Sequence, residues 1–278
     1  MAPSDPLLSQ EGGSRTRPMR DVIDMWDNTR MVVLAAISAS LYAAILIPFK
    51  VLPIIPGVTE LRPANAVPIV CSFLFGPAAA WGAAIGNVIG DFFTGLGPGD
   101  LFGFAGNFLY GLLPYKLWTA VTDRDPVPDS WSSIAGLTGV IFIASGACAL
   151  PIGWGLNLLG FVPFSILANI ILLNNFLVAA VLSPLLLRVV YPRVRRARLT
   201  HLDVAPPKRR LGAGRRRTAV LFITTAILSG LLIGNLLSTG SLPLPGSELW
   251  PQTPTRSFEV GIGLLPSLLL LILGLALL

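Results

Sequence analysis

The chain has 278 residues, of which only 12% are charged, against roughly 25% in typical soluble domains. Hydrophobic residues make up 53% and the mean hydropathy is +0.73, which excludes both an ordinary cytosolic enzyme and a disordered chain. No Asp, Glu, Lys or Arg occurs from Trp131 to Leu187, and such a run is difficult to keep soluble in water. The sequence therefore predicts an all-α, multi-pass protein of the cell (plasma) membrane.

Eight apolar segments follow one another along the chain, and we interpret each as a transmembrane helix, since about 20 helical residues cross the hydrocarbon core. They are Met31–Phe49, Ala64–Pro77, Ala78–Gly95, Leu101–Ala120, Ser132–Gly153, Phe161–Val190, Thr218–Thr239 and Glu259–Leu278. The predicted organisation is a cytoplasmic tail over residues 1–30, a six-helix membrane domain over 31–190, a basic cytoplasmic linker over 191–217, and a C-terminal transmembrane hairpin over 218–278.

The distribution of Lys and Arg sets the predicted orientation, because cytoplasmic loops carry the excess of both. With the N-terminus inside, the outer segments hold only Lys50, Arg62 and Arg256, and the inner segments hold the other 17 basic residues. We therefore expect both termini on the cytoplasmic side. Eleven basic residues lie between Arg188 and Arg217, where they favour membrane lipid headgroups or a cytoplasmic partner over nucleic acid. The lone histidine, His201, is expected to lie in solvent there.

Polar residues at the outer half of the apolar segments are the candidates for function, because polar groups are costly in hydrocarbon unless they face a cavity or a partner. The predicted substrate-binding residues are Glu60, Arg62, Asn65, Asn87, Asp91, Asn107, Trp154, Asn157 and Asn169. Trp154 and Asn157 fall in the loop that follows the fifth predicted helix. We interpret the set as lining a ligand cavity that opens outward, with the proline-rich connection after the first helix as its lid. Structural roles are the alternative: Asp91 can pair with Arg62 or Lys50, and Asn107 can hydrogen-bond a neighbouring helix.

Signatures of catalysis and of metal binding are absent from the sequence, which contains no zinc-protease helix motif, no phosphate-binding lysine loop and no Ser/His/Asp set. Cys71 and Cys148 both lie in apolar runs and lack the spacing of a zinc site. We expect neither an enzyme nor a bound cofactor.

Residues 60–118 read ELRPANAVPIVCSFLFGPAAAWGAAIGNVIGDFFTGLGPGDLFGFAGNFLYGLLPYKLW. An outer Arg-Pro segment, a Leu-Phe-Gly-Pro turn, a Gly-rich helix ending in Ile-Gly-Asp and a Gly-Asn helix follow in that order. This pattern resembles the substrate-binding S component of energy-coupling factor (ECF) transporters, and the resemblance covers roughly Met31 to Val190. It implies a six-helix S-component core that binds a vitamin or related micronutrient. It also implies two kinds of partner, a transmembrane coupling subunit and two cytoplasmic ATPases.

S components typically carry an Ala-x-x-x-Ala motif on the first helix that packs on the coupling subunit. The resemblance therefore implies that Ala35, Ala39 and Ala43 contact that subunit, because small residues allow two helices to approach closely in lipid.

The two helices after Thr218 exceed the six-helix unit and follow a Pro/Arg-rich linker, so we expect the hairpin to be dispensable for ligand capture. Two alternatives to the S-component function stay open. One is a non-transporting membrane scaffold of related fold, and the other is a solitary micronutrient transporter that works without ATPases. Three observations distinguish these functions. Co-purification of ATPases favours the S component, co-purification of envelope-assembly proteins favours the scaffold, and transport by the reconstituted chain alone favours the solitary transporter.

Overall fold

The computed structural model describes residues 19–49, 53–55, 59–60, 62–93, 95–205, 212–251 and 253–278. Its α-helices are α1 (Arg20–Asp24), α2 (Thr29–Phe49), α3 (Ala66–Phe75), α4 (Pro77–Phe92), α5 (Asp100–Val121), α6 (Trp131–Leu158), α7 (Phe164–Arg196), α8 (His201–Val204), α9 (Ala213–Ser238), α10 (Ser257–Gly263) and α11 (Leu265–Leu277). Two short strands, β1 (Pro53–Ile55) and β2 (Thr59–Glu60), pair antiparallel in the connection between α2 and α3.

Within the described residues, five helical stretches are long and apolar enough to cross a membrane: α2, α6, α7 continuing through α8, α9, and α10 together with α11. The molecule is therefore a multi-pass membrane protein. Between α2 and α6, the ten residues of α3 and the 16 residues of α4 are each shorter than the roughly 20 needed for a crossing. The count of eight crossings, with both termini inside, stays a prediction.

Glycines on α4 allow α2 to lie directly against it. A Cβ at Gly86 would stand 2.8 Å from the carbonyl oxygen of Ala39 and 3.0 Å from the ring of Tyr42. A Cβ at Gly82 would collide with Ser38 in the same way. Since lipid gives helices no hydrophobic drive to associate, this close backbone approach is what holds the pair together.

The fifth and sixth apolar helices are longer than predicted. We predicted that the fifth helix ends at Gly153, with Trp154 and Asn157 in a loop, but α6 continues to Leu158 and contains both residues. Backbone N–H and C=O groups at membrane depth must be hydrogen-bonded, and continuing the helix satisfies them despite Pro151 and two nearby glycines. In α7 the helix likewise extends to Arg196.

The C-terminal hairpin, formed by α9, α10 and α11, packs on the six-helix domain through glycines and paired polar side chains. A Cβ on Gly146 of α6 or on Gly234 of α9 would collide with side chains across the α6–α9 and α7–α9 contacts. The amides of Asn169 on α7 and Asn235 on α9 hydrogen-bond each other, with the shorter contact at 2.7 Å. The hairpin is therefore attached by specific contacts as well as by the linker.

At the end of the bundle predicted to face the cytoplasm, α1 and α8 fold under the α3–α4 turn. The expectation that His201 lies in solvent is wrong: its ring packs edge-on against Tyr115, with centroids 5.4 Å apart, and stands over Gly76. Gly76 has a φ of +55°, a conformation that glycine adopts without strain, and its missing side chain leaves the space for the imidazole. On α1, Asp21 accepts hydrogen bonds from Tyr115 and from Lys116, both at 2.9 Å.

Candidate functional site

Side chains from five elements meet at the end of the bundle that carries the α4–α5 turn, which we call the outer end. Tyr42 of α2 donates a hydrogen bond from its hydroxyl to Asn107 Oδ1 of α5 at 3.1 Å. Asn107 in turn donates from Nδ2 to the Gly103 carbonyl at 2.9 Å. On α4, Asn87 donates from Nδ2 to Asp91 Oδ2 at 2.5 Å.

A further set of hydrogen bonds joins α5 to the 3-10 turn before α3 and to α7. Tyr110 of α5 donates to the backbone carbonyl of Asn65 at 2.9 Å, with the carbonyl of Asn175 at 3.2 Å from the same hydroxyl. Asn65 donates from Nδ2 to Asn175 Oδ1 at 2.7 Å. We call these residues the central polar network: Tyr42, Asn65, Asn87, Asp91, Asn107, Tyr110 and Asn175.

Burial makes this network costly unless each polar atom has a partner. Asn65, Asn87, Asn107 and Asn175 are all buried, with exposed fractions between 1% and 7%. Asp91 is half-buried at the rim. The four amides and two phenols carry both donors and acceptors, and a ligand that replaced their internal hydrogen bonds would meet groups already placed to bind it.

Charges of both signs stand beside the network. Arg62 immediately precedes the short 3-10 turn Pro63–Asn65, and its backbone carbonyl accepts a hydrogen bond from the Asn65 N–H at 2.9 Å. Asp91 accepts the hydrogen bond from Asn87. A cationic and an anionic residue therefore adjoin two of the amides of the network. Among the described residues, no group of three His, Cys, Asp or Glu side chains that could hold a metal ion occurs.

Glycine at position 103 gives α5 access to the α4 pair. A Cβ there would stand 3.2 Å from Asn87 Nδ2 and 3.8 Å from Asp91 Oδ2. Because no side chain intervenes, the first turns of α5 lie against the amide and the carboxylate. The position of this outer end of α5 therefore sets how close Asn107 comes to Asn87 and Asp91.

Eight of the nine predicted substrate-binding residues divide into two groups, and Glu60 stands apart from both. Arg62, Asn65, Asn87, Asp91 and Asn107 lie in or beside the central polar network. Trp154, Asn157 and Asn169 instead hydrogen-bond to the C-terminal hairpin or its approach: Trp154 Nε1 donates to the Gly261 carbonyl at 3.0 Å, Asn157 Nδ2 to the Thr255 carbonyl at 2.8 Å, and Asn169 to Asn235. The Glu60 backbone lies in β2, and its side chain lies outside the described part of the structure.

Ala35, Ala39 and Ala43 are buried to 5% exposure or less, because this face of α2 packs on the glycines of α4. A contact with another subunit through these three alanines would need them exposed, and this structure turns them inward. The exposed face of α2 instead carries a second small-residue series, Ala36, Ser40 and Ala44. With Val33, Ile37 and Leu41 these residues line an open groove of about 470 Å³.

A family model described as QueT transporter matches residues 32–192, more than half of the chain. This chain belongs to the QueT transporter family. The family is one of ECF S components, so the predicted relationship to S components is confirmed. Searches of curated proteins and of solved structures gave no significant match. All seven residues of the central polar network fall within the matched residues, whereas α1, α8 and the hairpin fall outside them.

Three members of the network were missed by the sequence-based prediction. Tyr42 follows Ala35 and Ala39 on the face of α2 that turns inward, and Tyr110 lies three residues after Asn107 on one side of α5. Both spacings could have identified them. Asn175 could not be distinguished from Asn174, since adjacent residues of a helix point about 100° apart and either could face inward.

Proposed function

We propose that this QueT family member captures a queuosine precursor from outside the cell and delivers it to an ATP-driven ECF complex. The family match supports the substrate, because the family is one of S components for a queuosine precursor. The observation that carries the proposal is the central polar network, which concentrates buried amides and phenols in the family-matched helices at the outer end. A nucleobase-like precursor presents donors and acceptors around a planar ring, and amide and phenol groups complement such an edge.

Binding at this site replaces hydrogen bonds within the network by hydrogen bonds to the ligand. Asn107 of α5 and Asn87 of α4 carry amides that can each donate and accept, and Asp91 and Arg62 add charged partners beside them. A charged hydrogen bond contributes about 1.5–3 kcal/mol and a neutral one about 0.5–1.5 kcal/mol. In this proposal the lid is the proline-rich connection between α2 and Arg62, of which the structure describes only the backbone of β1 and β2.

Titration of a queuosine precursor into the purified chain tests this function. We expect saturable binding by the unaltered protein, and binding at least about tenfold weaker for Asn107→Ala, since losing about 1.4 kcal/mol is a tenfold change. The matched pair Tyr42→Phe and Tyr191→Phe makes the same change at two places: Tyr42 donates to Asn107, while Tyr191 contacts Asp125 at the opposite end of the bundle. Weakened binding in both, or in neither, would contradict the assignment.

Energy for transport comes from partners in this proposal, and the contact with the coupling subunit is assigned to the exposed groove of α2. The small residues Ala36, Ser40 and Ala44 allow a partner helix to approach closely, whereas Ala35, Ala39 and Ala43 already serve the contact with α4. In this proposal the coupling subunit therefore contacts Ala36, Ser40 and Ala44, each one residue after the alanines that the resemblance implied.

Co-purification of the coupling subunit and the ATPases tests this second part. Ala36→Trp or Ser40→Trp would fill the groove and is expected to abolish co-purification while ligand binding persists. Leu177→Trp, at an exposed position of α7 away from the groove, is the control and should retain the partners. Retention of the ATPases by both groove variants would contradict the assignment and favour the solitary transporter.

A further inference from the structure

The C-terminal hairpin lies outside the family match, yet it contacts α6 at the outer end, where α6 in turn supports α5. Against the expectation from the sequence that the hairpin is dispensable for ligand capture, we propose that it is part of the substrate-binding unit: by fixing Trp154 it holds the outer end of α5, and so positions Gly103 and Asn107. This inference rests on the proposed function for its consequence in ligand binding, but the contact itself can be tested without a ligand.

The first step runs from the hairpin to α6. Trp154 donates from its indole Nε1 to the backbone carbonyl of Gly261 in α10 at 3.0 Å. One turn further, Asn157 donates to the Thr255 carbonyl at 2.8 Å, and Ser257 donates from Oγ to the Asn157 carbonyl at 2.7 Å. Asn157 is fully buried, so water cannot replace these partners. Three hydrogen bonds therefore fix the last turns of α6 to the hairpin.

The second step runs from α6 to α5. The ring of Phe102 packs edge-on against Trp154, with ring centroids 6.0 Å apart and an interplanar angle of 84°. It also lies directly on the backbone of Gly155, where a Cβ would collide with it. Such an aromatic pair in edge-to-face geometry is favourable beyond its buried area. Trp154 thus has one edge bonded to the hairpin while its ring contacts Phe102.

The third step lies within α5. Phe102 directly precedes Gly103, whose carbonyl accepts the hydrogen bond from Asn107 and whose bare Cα faces Asn87 and Asp91. In the next turn, Gly106 lies against the carbonyl of Cys148 on α6. One side of α5 is therefore held by α6 and the other carries the network. Releasing Trp154 from the hairpin lets this end of α5 shift, and a small shift changes the distance across the network.

Trp154 is a positioning residue in this account, and hydrogen exchange measures its effect directly. In the full, ligand-free chain, Trp154→Phe removes the bond to Gly261 but keeps an aromatic ring. We expect the backbone amides of residues 101–107 to exchange several-fold faster, with those of residues 115–121 at the other end of α5 unchanged. Trp131→Phe, at the exposed start of the same helix, is the matched control and should leave both segments unchanged.

Two outcomes of the exchange experiment would overturn the proposal. Unchanged exchange in residues 101–107 would show that the hairpin bond does not hold α5. Equal acceleration at both ends of α5 would show a general loss of stability rather than local positioning.

Titration of a queuosine precursor into the same variants measures the effect on ligand binding. Trp154→Phe and, on the hairpin side, Ser257→Ala should each weaken binding about threefold to tenfold, the range expected for one lost hydrogen bond, while Trp131→Phe binds like the unaltered chain. Binding equal to that of Trp131→Phe in both variants would refute the positioning role. Absence of binding by the unaltered chain would instead contradict the proposed function, and the exchange experiment would still decide the contact.

Discussion

Gly86→Ala places one methyl group between α2 and α4 and tests a close helix contact at the edge of the central polar network. The added Cβ would lie 2.8 Å from the Ala39 carbonyl oxygen and 3.0 Å from the Tyr42 ring. Ordinary contacts begin near 3.4 Å, so the helices must separate by about half an ångström, and overpacking of this kind costs about 1–3 kcal/mol. Because Tyr42 belongs to the central polar network, ligand affinity should fall together with stability.

Thermal unfolding of the purified chain in detergent, followed by titration with a queuosine precursor, measures both effects. Gly139→Ala is the control, since Gly139 also lies within a helix but a Cβ there meets nothing within 4 Å. It should match or exceed the unaltered chain, because Ala favours a helix over Gly by about 1 kcal/mol. If Gly86→Ala unfolds at the same temperature as Gly139→Ala, the close approach of α2 to α4 is wrong.

Three further predictions concern other contacts. Gly76→Ala should destabilise the α3–α4 turn and displace His201, because the residue has positive φ and its Cβ would stand 2.7 Å from the imidazole. Gly160→Ala, with φ of +76° and open space around the added Cβ, measures the cost of the backbone conformation alone. Equal losses of stability in the two variants would rule out the His201 contact. Asn169→Leu and Asn235→Leu should each lower stability by about 1–3 kcal/mol, because each leaves the other amide without its partner. The double variant should lose less stability than the two single variants added together. Unfolding midpoints that fall additively would contradict the hydrogen bond between the two amides. Ala39→Trp should abolish folding and Ala36→Trp should not, and similar folded yields for both, by size-exclusion chromatography, would contradict the assignment of the two faces of α2.

The sequence predicted much of the fold because membrane helices are encoded by long apolar runs, a signal that needs no long-range information. Each predicted apolar segment contains helix in the structure, although the last one is divided between α10 and α11, and the count of eight crossings stays a prediction. The end of α6 was misplaced because Pro151, Gly153 and Gly155 resemble a helix end in water. In hydrocarbon the backbone has no solvent to bond, and the helix continues through Trp154 and Asn157.

The two faces of α2 show why contact partners were harder to predict than helices. Small residues recur every fourth position in two parallel series, Ala35/Ala39/Ala43 and Ala36/Ser40/Ala44, and either series suits a close helix contact. Which one turns inward depends on Gly82 and Gly86 of α4, and that pairing is not visible in α2 alone.

The candidate site was predicted in part for a similar reason. Buried polar residues are rare in membrane helices and therefore conspicuous, so Asn65, Asn87, Asp91 and Asn107 could be recognised from the sequence. Asn169 was equally conspicuous, but its partner Asn235 lies in the hairpin, 66 residues away. Only the packing of α7 on α9 shows that this amide joins the six-helix domain to the hairpin.

An experimental structure of the full chain with a queuosine precursor bound would test the central claim most directly. The account predicts ligand density at the outer end, between α2, α4 and α5, within hydrogen-bonding distance of Asn87 and Asn107, with Arg62 or Asp91 at its rim. Ligand density between α7 and α9, or at any place more than one side chain away from the central polar network, would contradict it.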